Sequence, residues 1–595
     1  MKRKVLTLSI LALLSGCNSS SSSDSAQAPK AVVGTAATGA ALFGQIDIIN
    51  GSQQKNLLSD KQGKFQLGLL DDVELPAVVK AQGSAGGGSY TLYSLITEEQ
   101  KQAGIVNATP FTQLVLSRIT GVHAETVFAN PAVYQAQFTD SNIDSAQAEL
   151  KSVLDNLLNA AGINTHDLDF FNTPFDADYT GIDAVMDMID VQFDTAQAVL
   201  TYKADQSFQE TLIYSTNWDN QELVDGSKTP AEIKAALDIV TVADNILEQM
   251  VLAQDETSYK DYLHADAYWY GASYEGIFDE KEKVIPSEQT KMDRFSDFNV
   301  IDVQSDRFLL GYTEVYENSN FASGGRAKAW FKKETNEYKF LGQENSLPTN
   351  IALELKYKLI ENHTENTETE SWALGINGFP SINVCENITL STDNTGWFAA
   401  KPELKMLADV TLKSGSAFPY AKAIISGPGI QDVTIDSIYK EVNNGKITGC
   451  HLASSELKNS WGYPLSIVID GVTVTSPELM LDNSEYTVTY YDSADQVVSS
   501  ETLSISKGYD ANTKSLLPTL KEARLDANDF YYSWSPAKMT TSLDVWAYNN
   551  SSTRLAVPKG QTFVESKTMT KRLGFDHALV DNFGRSLTIA HSNFN

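Results

Sequence analysis

The sequence predicts a multidomain, mainly β protein: an N-terminal β-sandwich, a central helical plus α+β region, and C-terminal immunoglobulin-like β-sandwiches. Three observations predict this class. The 595 residues exceed the usual size of one domain. Alternating apolar residues, separated by Gly, Asn, Asp and Ser turns, dominate both ends of the chain. Apolar residues at helical spacing are concentrated between residues 105 and 253.

The first 16 residues have the pattern of a secretory signal, with a basic head, an apolar run from Val5 to Leu14 and small residues before Cys17. The apolar run is shorter than the roughly 20 residues that span a bilayer. The sequence Leu14-Ser15-Gly16-Cys17 resembles the bacterial lipobox. That resemblance implies a covalent lipid on Cys17 (diacylglycerol, with palmitate among its acyl chains). The alternative is an ordinary secreted protein with a chance cysteine.

Residues 17–30 predict a flexible tether, because Asn18 and the serine run Ser19–Ser23 cannot bury a core. In Gram-negative lipoproteins, which the chain resembles here, an aspartate directly after the lipidated cysteine tends to retain the protein at the inner membrane. Asn18 is not an aspartate, so the resemblance implies an outer-membrane location. Whether the protein lies on the periplasmic or the cell-surface face stays open.

The formal net charge is −31, which disfavours binding to nucleic acids or anionic headgroups and favours divalent cations or basic partners. A general solubility role for this charge is the alternative. With Cys17 lipidated, Cys385 and Cys450 remain as a pair in an oxidising compartment, which predicts a disulfide. Two separate thiols, or a metal site, are the alternatives.

Residues 31–104 predict a small β-sandwich. Glycine and alanine recur from Val33 to Gly44, and Asp60, Gly63 and Phe65 then form a turn followed by a strand. This pairing resembles the carboxypeptidase-regulatory-like, transthyretin-like sandwich. The resemblance implies an accessory domain without peptidase residues. With the helices that follow, the region is similar to the N-terminal half of uncharacterised gammaproteobacterial outer-membrane lipoproteins.

Residues 105–234 predict a helical region. Thr109 caps a helix that starts with Pro110, a second helix covers about 144–161, three short strands form a meander, and a long helix covers about 230–253. The segment from Thr173 to Asp183 contains the one calcium-loop pattern that we identify. Its oxygen ligands would be Asp176, Asp178, Thr180 and Asp187. The alternative is a helix start capped by Asp178 or Thr180.

Residues 235–345 predict an α+β region that weakly resembles a nuclear-transport-factor-2-like cone. Such cones enclose pockets, and the predicted lining is His264, Asp266, Tyr268 and Trp269. A His/Asp pair can perform acid–base chemistry. However, helical spacing would direct His264 and Asp266 to different sides. Packing of the aromatic residues in the core is the alternative.

Residues 346–480 and 481–595 predict two β-sandwiches, with Cys385 and Cys450 in the first. A cluster of aromatic residues in the second either packs in the core or forms a platform on which sugars stack. The cluster consists of Tyr531, Tyr532, Trp534, Trp546 and Tyr548.

The chain contains none of the linear motifs of α/β-hydrolases, zinc proteases, phosphate-binding loops or penicillin-binding proteins. The sequence therefore favours a binding or assembly module of the cell envelope, with a protein or glycan partner, and leaves enzymatic activity open. A cell-envelope hydrolase with its site in the central cone, and a non-catalytic surface stalk, are the alternatives. Oligomeric state cannot be read from the sequence.

Overall fold

The structure is a computed structural model, and it describes most of the chain from residue 31 onward. The described residues are 31–50, 53–70, 73–253, 255–269, 272–274, 277, 292–316, 326–342, 352–362, 365–377, 404–411, 417–418, 420–443, 446–458, 464–466, 471–505, 507–525, 530–535, 540–548, 552–555, 562–566, 574–581 and 585–592. The predicted signal, Cys17, the predicted tether and Cys385 lie outside them.

The first unit is a small antiparallel β-sandwich. Its strands are β1 (Val32–Thr35), β2 (Phe43–Asn50), β3 (Gln53–Leu58), β4 (Lys64–Gly68), β5 (Ala77–Ala85) and β6 (Gly88–Ile96). Strands β3-β2-β5-β6 form one sheet, and β1 pairs with β4 in the other. Alternating apolar residues such as Ile46, Phe65 and Val79 are buried between the sheets, as period-2 patterning requires. Helix α1 (Glu98–Ala103) closes the unit.

Helices dominate the next segment. They are α2 (Pro110–Thr120), α3 (Ala124–Ala129), α4 (Pro131–Tyr134), α5 (Asp140–Val153), α6 (Asp155–Ala160) and α7 (Gly181–Asp187). Helix α2 starts as predicted, since Thr109 accepts from the Thr112 N–H and Pro110 occupies the first turn. The helix predicted over about 144–161 is interrupted at Leu154, where α5 ends and α6 follows.

A three-stranded meander and three helices follow. They are β7 (Ile189–Phe193), β8 (Gln197–Tyr202), β9 (Gln209–Ile213), α8 (Pro230–Leu237), α9 (Ile239–Leu252) and α10 (Glu256–Lys260). The meander is confirmed, with antiparallel order β7-β8-β9. The long helix predicted over about 230–253 is two helices, divided at Asp238.

The central sheet is built from β10 (Leu263–Trp269), β11 (Ala272–Ser273), β12 (Met292–Val303), β13 (Arg307–Tyr316), β14 (Arg326–Glu334) and β15 (Glu337–Gly342). Its order is β11-β10-β15-β14-β13-β12, with β10 and β15 parallel. Helix α9 packs on the sheet, and one continuous apolar core runs from α2 to β15. The helical region and this sheet therefore share a core across the predicted boundary at residue 234.

The remainder is almost wholly strand. Its strands are β16 (Ala352–Asn362), β17 (Thr367–Asn377), β18 (Lys405–Met406), β19 (Lys422–Ser426), β20 (Val433–Ile435), β21 (Ser437–Asn443), β22 (Lys446–Lys458), β23 (Pro464–Ser466), β24 (Val472–Thr473), β25 (Glu485–Tyr491), β26 (Val497–Ser504), β27 (Leu520–Leu525), β28 (Phe530–Trp534), β29 (Thr540–Tyr548), β30 (Ser552–Leu555), β31 (Phe563–Ser566), β32 (Gly574–Asp581) and β33 (Ser586–Ser592). Short 3-10 helices span Gln135–Gln137, Leu407–Asp409, Pro477–Leu479 and Thr513–Leu516.

These strands form four sheets, with orders β24-β17-β16-β33-β32-β29-β30, β18-β21-β22-β23, β20-β19-β25-β26 and β27-β28-β31. Strand β16 pairs with β33, and β19 pairs with β25. Both pairings cross residue 480, so the predicted boundary there does not separate two self-contained sheets. The mainly β, multidomain class is confirmed. Among the described residues, no helix is both long and apolar enough to cross a lipid bilayer.

Candidate functional site

Three of the four predicted calcium ligands, Asp176, Asp178 and Thr180, lie in an exposed loop before helix α7. Asp176 is 75% exposed, and its Oδ1 lies 2.8 Å from the Lys64 ammonium of the N-terminal sandwich. Lys64 also donates to the Thr35 hydroxyl at 2.8 Å and to the Phe175 carbonyl at 2.6 Å. Asp178 accepts from both the N–H and the hydroxyl of Thr180, at 3.1 and 2.7 Å.

The other end of the predicted loop is helical. Helix α7 begins at Gly181, directly after Thr180, and ends at Asp187. At 1.5 Å per residue, the helix places Asp187 roughly 10 Å from Thr180 along its axis. Among the described residues, no group of three or more His, Cys, Asp or Glu side chains is arranged to hold a metal ion. Calcium binding by Asp176, Asp178, Thr180 and Asp187 stays a prediction.

The start of helix α7 differs from the capping interpretation. Thr180 occupies the N-cap position with an extended backbone, but its side chain accepts no hydrogen bond from the helix. Its hydroxyl donates to Asp178 instead. Asp183, in the first turn, accepts from the Tyr179 N–H at 2.7 Å and is fully buried. The helix start is therefore fixed by a carboxylate reaching back from within the helix.

A groove lies on the loop side of this segment. We call it the Lys64 groove; its volume is about 580 Å³. It is lined by Val33, Gly34, Thr35, Leu58, Ser59, Asp60, Lys64, Phe65, Gln66, Ile105, Asn107, Pro174 and Phe175.

A second cavity lies beside the C-terminal end of α7, between the N-terminal sandwich, the meander and strand β12. We call it the junction cavity; its volume is about 500 Å³. It is lined by Thr38, Ala40, Gly86, Tyr90, Asp187, Asp190, Gln192, Thr201, Lys203, Gln206, Gln209, Asn299, Val300 and Ile301. Most of these side chains are polar, which distinguishes this cavity from the Lys64 groove.

The meander supplies the floor of the junction cavity. Its registers place Asp190 opposite Thr201 and Thr201 opposite Gln209, so these three residues form one row across β7, β8 and β9. Gln209 donates to the Thr201 hydroxyl at 3.1 Å, and Gln192 donates to Asp190 at 3.0 Å. Because side chains alternate along a strand, the opposite face of the meander carries the buried residues of the core.

Asp187 lies at the edge of this floor and is 4% exposed. Its Oδ1 approaches the backbone of Gly39, where a Cβ would lie 2.2 Å from that oxygen. Gly39 also has φ +107°, a conformation that side-chain-bearing residues rarely adopt. The buried Oδ2 of Asp187 has no hydrogen-bond partner among the described residues. Glycine at position 39 therefore allows a carboxylate to be buried against the sandwich.

Burial shifts the pKa values of the ionisable groups at this site. Loss of hydration raises the pKa of Asp187 to about 7, although the nearby Lys203 ammonium opposes the shift. The pKa of Asp183 is raised for the same reason and, secondarily, by the charge of Asp187. Burial lowers the pKa of Lys203, against the attraction of Asp187 and Asp190. Burial thus disfavours the charged forms of all three groups, the two carboxylates and the ammonium.

Strand β12 completes the wall. The Asp297 carboxylate accepts from the Gly86 N–H at 2.5 Å, which ties β12 to the turn between β5 and β6. The Phe298 N–H donates to the Tyr179 hydroxyl at 3.0 Å, which ties β12 to the residue two positions before α7. The cavity is therefore enclosed by three structural units that contact one another directly.

The predicted pocket residues of the central region all lie on strand β10, which follows helix α10. His264 and Asp266 therefore share one side of a strand, and His264 Nδ1 lies 3.7 Å from Asp266 Oδ2. The expectation that they point apart was wrong, because it assumed helical spacing. Asp266 is 73% exposed and also faces Lys332 at 3.6 Å, whereas His264 is buried. Trp269 is fully buried against Phe340, as the core alternative predicts, and Tyr268 is half-buried.

The C-terminal predictions are tested only in part. Cys450 lies on β22 opposite Lys440, but Cys385 and the Cys450 side chain lie outside the described residues, so the disulfide stays a prediction. Tyr532 and Trp534 are buried, which places them in the core and not on an exposed sugar-stacking platform. The side chains of Trp546 and Tyr548 lie outside the described residues.

Sequence reasoning identified Asp187 as a ligand-type residue, and the structure places it beside Gly39 and near Lys203. Sequence reasoning did not identify the row that Asp190, Thr201 and Gln209 form across the meander. The alternation of Asp190 and Gln192 with apolar residues was a usable signal, because it marks a polar sheet face. No sequence signal shows that this face lies beside Gly39, Tyr90 and β12.

No family model and no curated protein matches this chain. Three solved structures show weak likeness. Bd1075 of Bdellovibrio bacteriovorus is 16% identical over 19% of this chain and 42% of its own, with a TM-score of 0.14. The FN1–FN3 domains of chicken CNTN1 are 11% identical over 50% of this chain and 98% of their own, also with a TM-score of 0.14. A Ca2+-stabilized adhesin that helps an Antarctic bacterium bind ice is 8% identical over 96% of this chain and 99% of its own, with a TM-score of 0.13.

Likeness at this level shows nothing about what the chain does.

Proposed function

We propose that this chain is an outer-membrane-anchored lipoprotein that acts as a binding module of the cell envelope. The anchor is the covalent lipid implied at Cys17, and the tether of residues 17–30 connects it to the folded chain. The junction cavity is the binding site. One observation carries the binding role: polar side chains of the sandwich, the meander and strand β12 converge on one open cavity, and the buried Oδ2 of Asp187, which lines it, has no hydrogen-bond partner among the described residues.

Such an oxygen is costly to bury, since an unsatisfied buried acceptor costs about 1–3 kcal/mol. An unsatisfied buried group requires a physical explanation, and a bound molecule that supplies the missing hydrogen bond is one. A volume of about 500 Å³ lies within the range of small-molecule and oligomer-unit sites. The convergence of several polar side chains on this cavity is the usual basis of orientation and specificity in a binding site.

The anchor is tested by metabolic labelling with an alkyne analogue of palmitate, followed by separation of inner and outer membranes. We expect the wild-type chain to be labelled and to fractionate with the outer membrane. The variant Cys17→Ser should lose both properties, while the matched variant Cys450→Ser should keep them. Retention of the label in Cys17→Ser, or an intact leader on the native product by mass spectrometry, would contradict the anchor.

The binding role is tested with the full mature chain carrying Cys17→Ser, which removes the lipid as a cause of membrane association. Isolated envelope material, washed free of its own peripheral proteins, is sedimented with the purified chain. We expect saturable co-sedimentation that falls at least fivefold in the double variant Asp190→Ala/Gln209→Ala. Equal sedimentation of both proteins would reject the junction cavity as the binding site.

A further inference from the structure

We infer that the junction cavity binds a neutral, polyhydroxylated ligand, such as a saccharide unit of an envelope glycan. This inference rests on the proposed binding function of the same cavity and specifies the chemistry of its ligand. It is argued from the donors and acceptors of the floor, the unmatched oxygen at its edge, the balance of charges, and the aromatic ring on the opposite wall.

The floor offers hydrogen-bond donors and acceptors in alternation. In the row across the meander, Asp190 only accepts when ionised, whereas the Thr201 hydroxyl and the Gln209 amide each donate and accept. Directly opposed residues on neighbouring strands have their Cβ atoms about 4.5–5.5 Å apart. A ligand with successive hydroxyl groups fits this row, because each hydroxyl also donates one hydrogen bond and accepts others.

Asp187 adds an acceptor beside the floor. Its buried Oδ2 has no partner among the described residues, and the side chain itself is 4% exposed. This oxygen is shielded from solvent, so a ligand hydroxyl reaches it only when the Asp187 carboxyl group rotates toward the cavity. A hydroxyl that then donated to it would satisfy it without adding charge to a buried site.

The charges of the cavity select against ionic ligands. Asp190 would repel phosphate or carboxylate groups, and the formal charge of −31 adds to that repulsion. Lys203 lies in the same cavity, and no ion pair joins it to a carboxylate within 4.0 Å in the described part of the chain. Its ammonium would repel a ligand cation. An apolar ligand would bury the polar floor without hydrogen bonds, which is costly.

The wall contributed by the sandwich and β12 is amphipathic. Tyr90 is 41% exposed and Ile301 is 46% exposed, and both line the cavity. Aromatic and aliphatic surfaces pack against the C–H face of a sugar ring, while the hydroxyls at the ring edge remain available to polar groups. A polar floor beside a wall that carries Tyr90 and Ile301 therefore offers both kinds of surface that a sugar ring requires.

The test measures binding of defined probes to the full mature chain carrying Cys17→Ser, by isothermal titration calorimetry. The neutral probes are the linear trimers of N-acetylglucosamine, glucose in α-1,4 linkage and glucose in β-1,4 linkage. The charged probes are trigalacturonate and spermidine. We expect at least one neutral trimer to bind and both charged probes to bind at least tenfold more weakly. No binding of any neutral trimer, or tighter binding of a charged probe, would overturn the inference.

Two threonines of the meander, Thr201 and Thr211, provide a matched pair of variants. Thr201 lies in the cavity floor, whereas Thr211 lies one row away on the same sheet face and does not line the cavity. We expect Thr201→Val to weaken binding of the neutral trimer at least fivefold and Thr211→Val to change it less than twofold. Equal effects of the two variants would place the ligand elsewhere and overturn the inference.

Failure of this inference is distinguishable from failure of the proposed function. If the chain co-sediments with envelope material and the cavity variant abolishes this, but no neutral trimer binds, the binding function stands and the ligand class is wrong. If co-sedimentation is also insensitive to the cavity variant, both are wrong. Far-ultraviolet circular dichroism and urea unfolding of each variant show that the comparison is between folded proteins.

Discussion

The Lys64 groove and the junction cavity lie at opposite ends of one segment, residues 174–190. They differ in whether hydrogen bonds within the chain satisfy their ionisable side chains. In the groove, the Lys64 ammonium contacts three oxygens, from Thr35, Phe175 and Asp176. In the junction cavity, the Asp187 carboxyl group retains a buried oxygen without a partner among the described residues, whereas in the groove the buried oxygen without one belongs to the neutral amide of Asn107. The two cavities have similar volumes, so size does not distinguish them.

This difference indicates which of the two cavities binds a ligand. A polar group whose hydrogen bonds are satisfied within the chain contributes to folding and offers little to a partner. A buried acceptor that is left unsatisfied lowers stability, and a ligand that satisfies it recovers that free energy as affinity. We therefore interpret the Lys64 groove as a structural seam between the sandwich and the loop, and the junction cavity as a binding site.

Among the variants that test this comparison, Gly39→Ala should have the largest effect on the free energy of unfolding. The new Cβ would lie 2.2 Å from Asp187 Oδ1 at a backbone φ of +107°, so both steric overlap and backbone strain oppose folding. We expect the free energy of unfolding to fall by about 3–5 kcal/mol in urea titrations.

Gly68→Ala is the matched control for this variant. Gly68 lies in the same sandwich with φ +77°, but its added Cβ would meet no atom within 4 Å. It should cost only the backbone term, about 1–2 kcal/mol. Equal losses in the two variants would show that Asp187 does not press against the sandwich and would remove the steric basis of the junction.

The next effect is a pH dependence that Asp187→Asn should reduce. The pKa of Asp187 is raised to about 7 by burial, so between about pH 4 and 7 the folded chain retains a proton that the unfolded chain has lost. The free energy of unfolding therefore falls as the pH rises through this range and levels off above pH 7. Each pKa unit corresponds to about 1.4 kcal/mol, which sets an upper bound of about 4 kcal/mol.

Asparagine mimics the protonated carboxyl, so Asp187→Asn should match the wild type at pH 5 and be more stable at pH 8. Asp183 has a raised pKa as well and would leave a residual slope of the same sign. The lowered pKa of Lys203 acts with the opposite sign, between that lowered pKa and the usual pKa of lysine. An unchanged slope in Asp187→Asn would contradict the burial of its charge.

Much of the fold could be predicted from the sequence, because its signals are local. The cap at Thr109, the proline at position 110 and the alternation along β7 and β8 identify elements without reference to distant residues. The break at Asp238 was missed because the apolar spacing continues through it. His264 and Asp266 were placed by helical spacing, although pairing of β10 with β15, more than 70 residues later, makes them part of a strand.

The candidate site was harder to predict, because it depends on contacts between residues that are distant in the sequence. Asp187 fits position 12 of a calcium loop in the sequence, but the seven residues up to it form helix α7 and carry it away from Asp176. The neighbours that give Asp187 its properties, Gly39 and Lys203, come from other elements. A linear motif contains none of that information, since it depends on how the sandwich, the meander and α7 pack together.

A smaller effect is expected on the groove side. Lys64→Met keeps the aliphatic part of the side chain but removes the ammonium that bonds Phe175, Thr35 and Asp176. Lys64 is 38% exposed, so water replaces part of what is lost. We expect a loss of about 1–2 kcal/mol in the free energy of unfolding, with the pH slope of the wild type retained. The exposed Lys358 on β16 provides the control, Lys358→Met, which should change stability by less than about 0.5 kcal/mol. A large loss of ligand binding in Lys64→Met would mean that the groove, too, takes part in binding.

The smallest effect is that of Asp176→Ala, and it separates a surface ion pair from a calcium ligand. Asp176 is 75% exposed, and Lys64 keeps two oxygens without it, so in a chelating buffer the variant should lose only about 0.2–1 kcal/mol. The calcium hypothesis adds a second expectation: calcium should produce heat in a calorimetric titration of the wild type, and Asp178→Ala should abolish it, while Asp190→Ala should not. The absence of heat in the wild type would reject calcium binding by the loop. The loop would then be a structural seam only, because Asp178 already has its partners in Thr180 and Asp176 has its partner in Lys64.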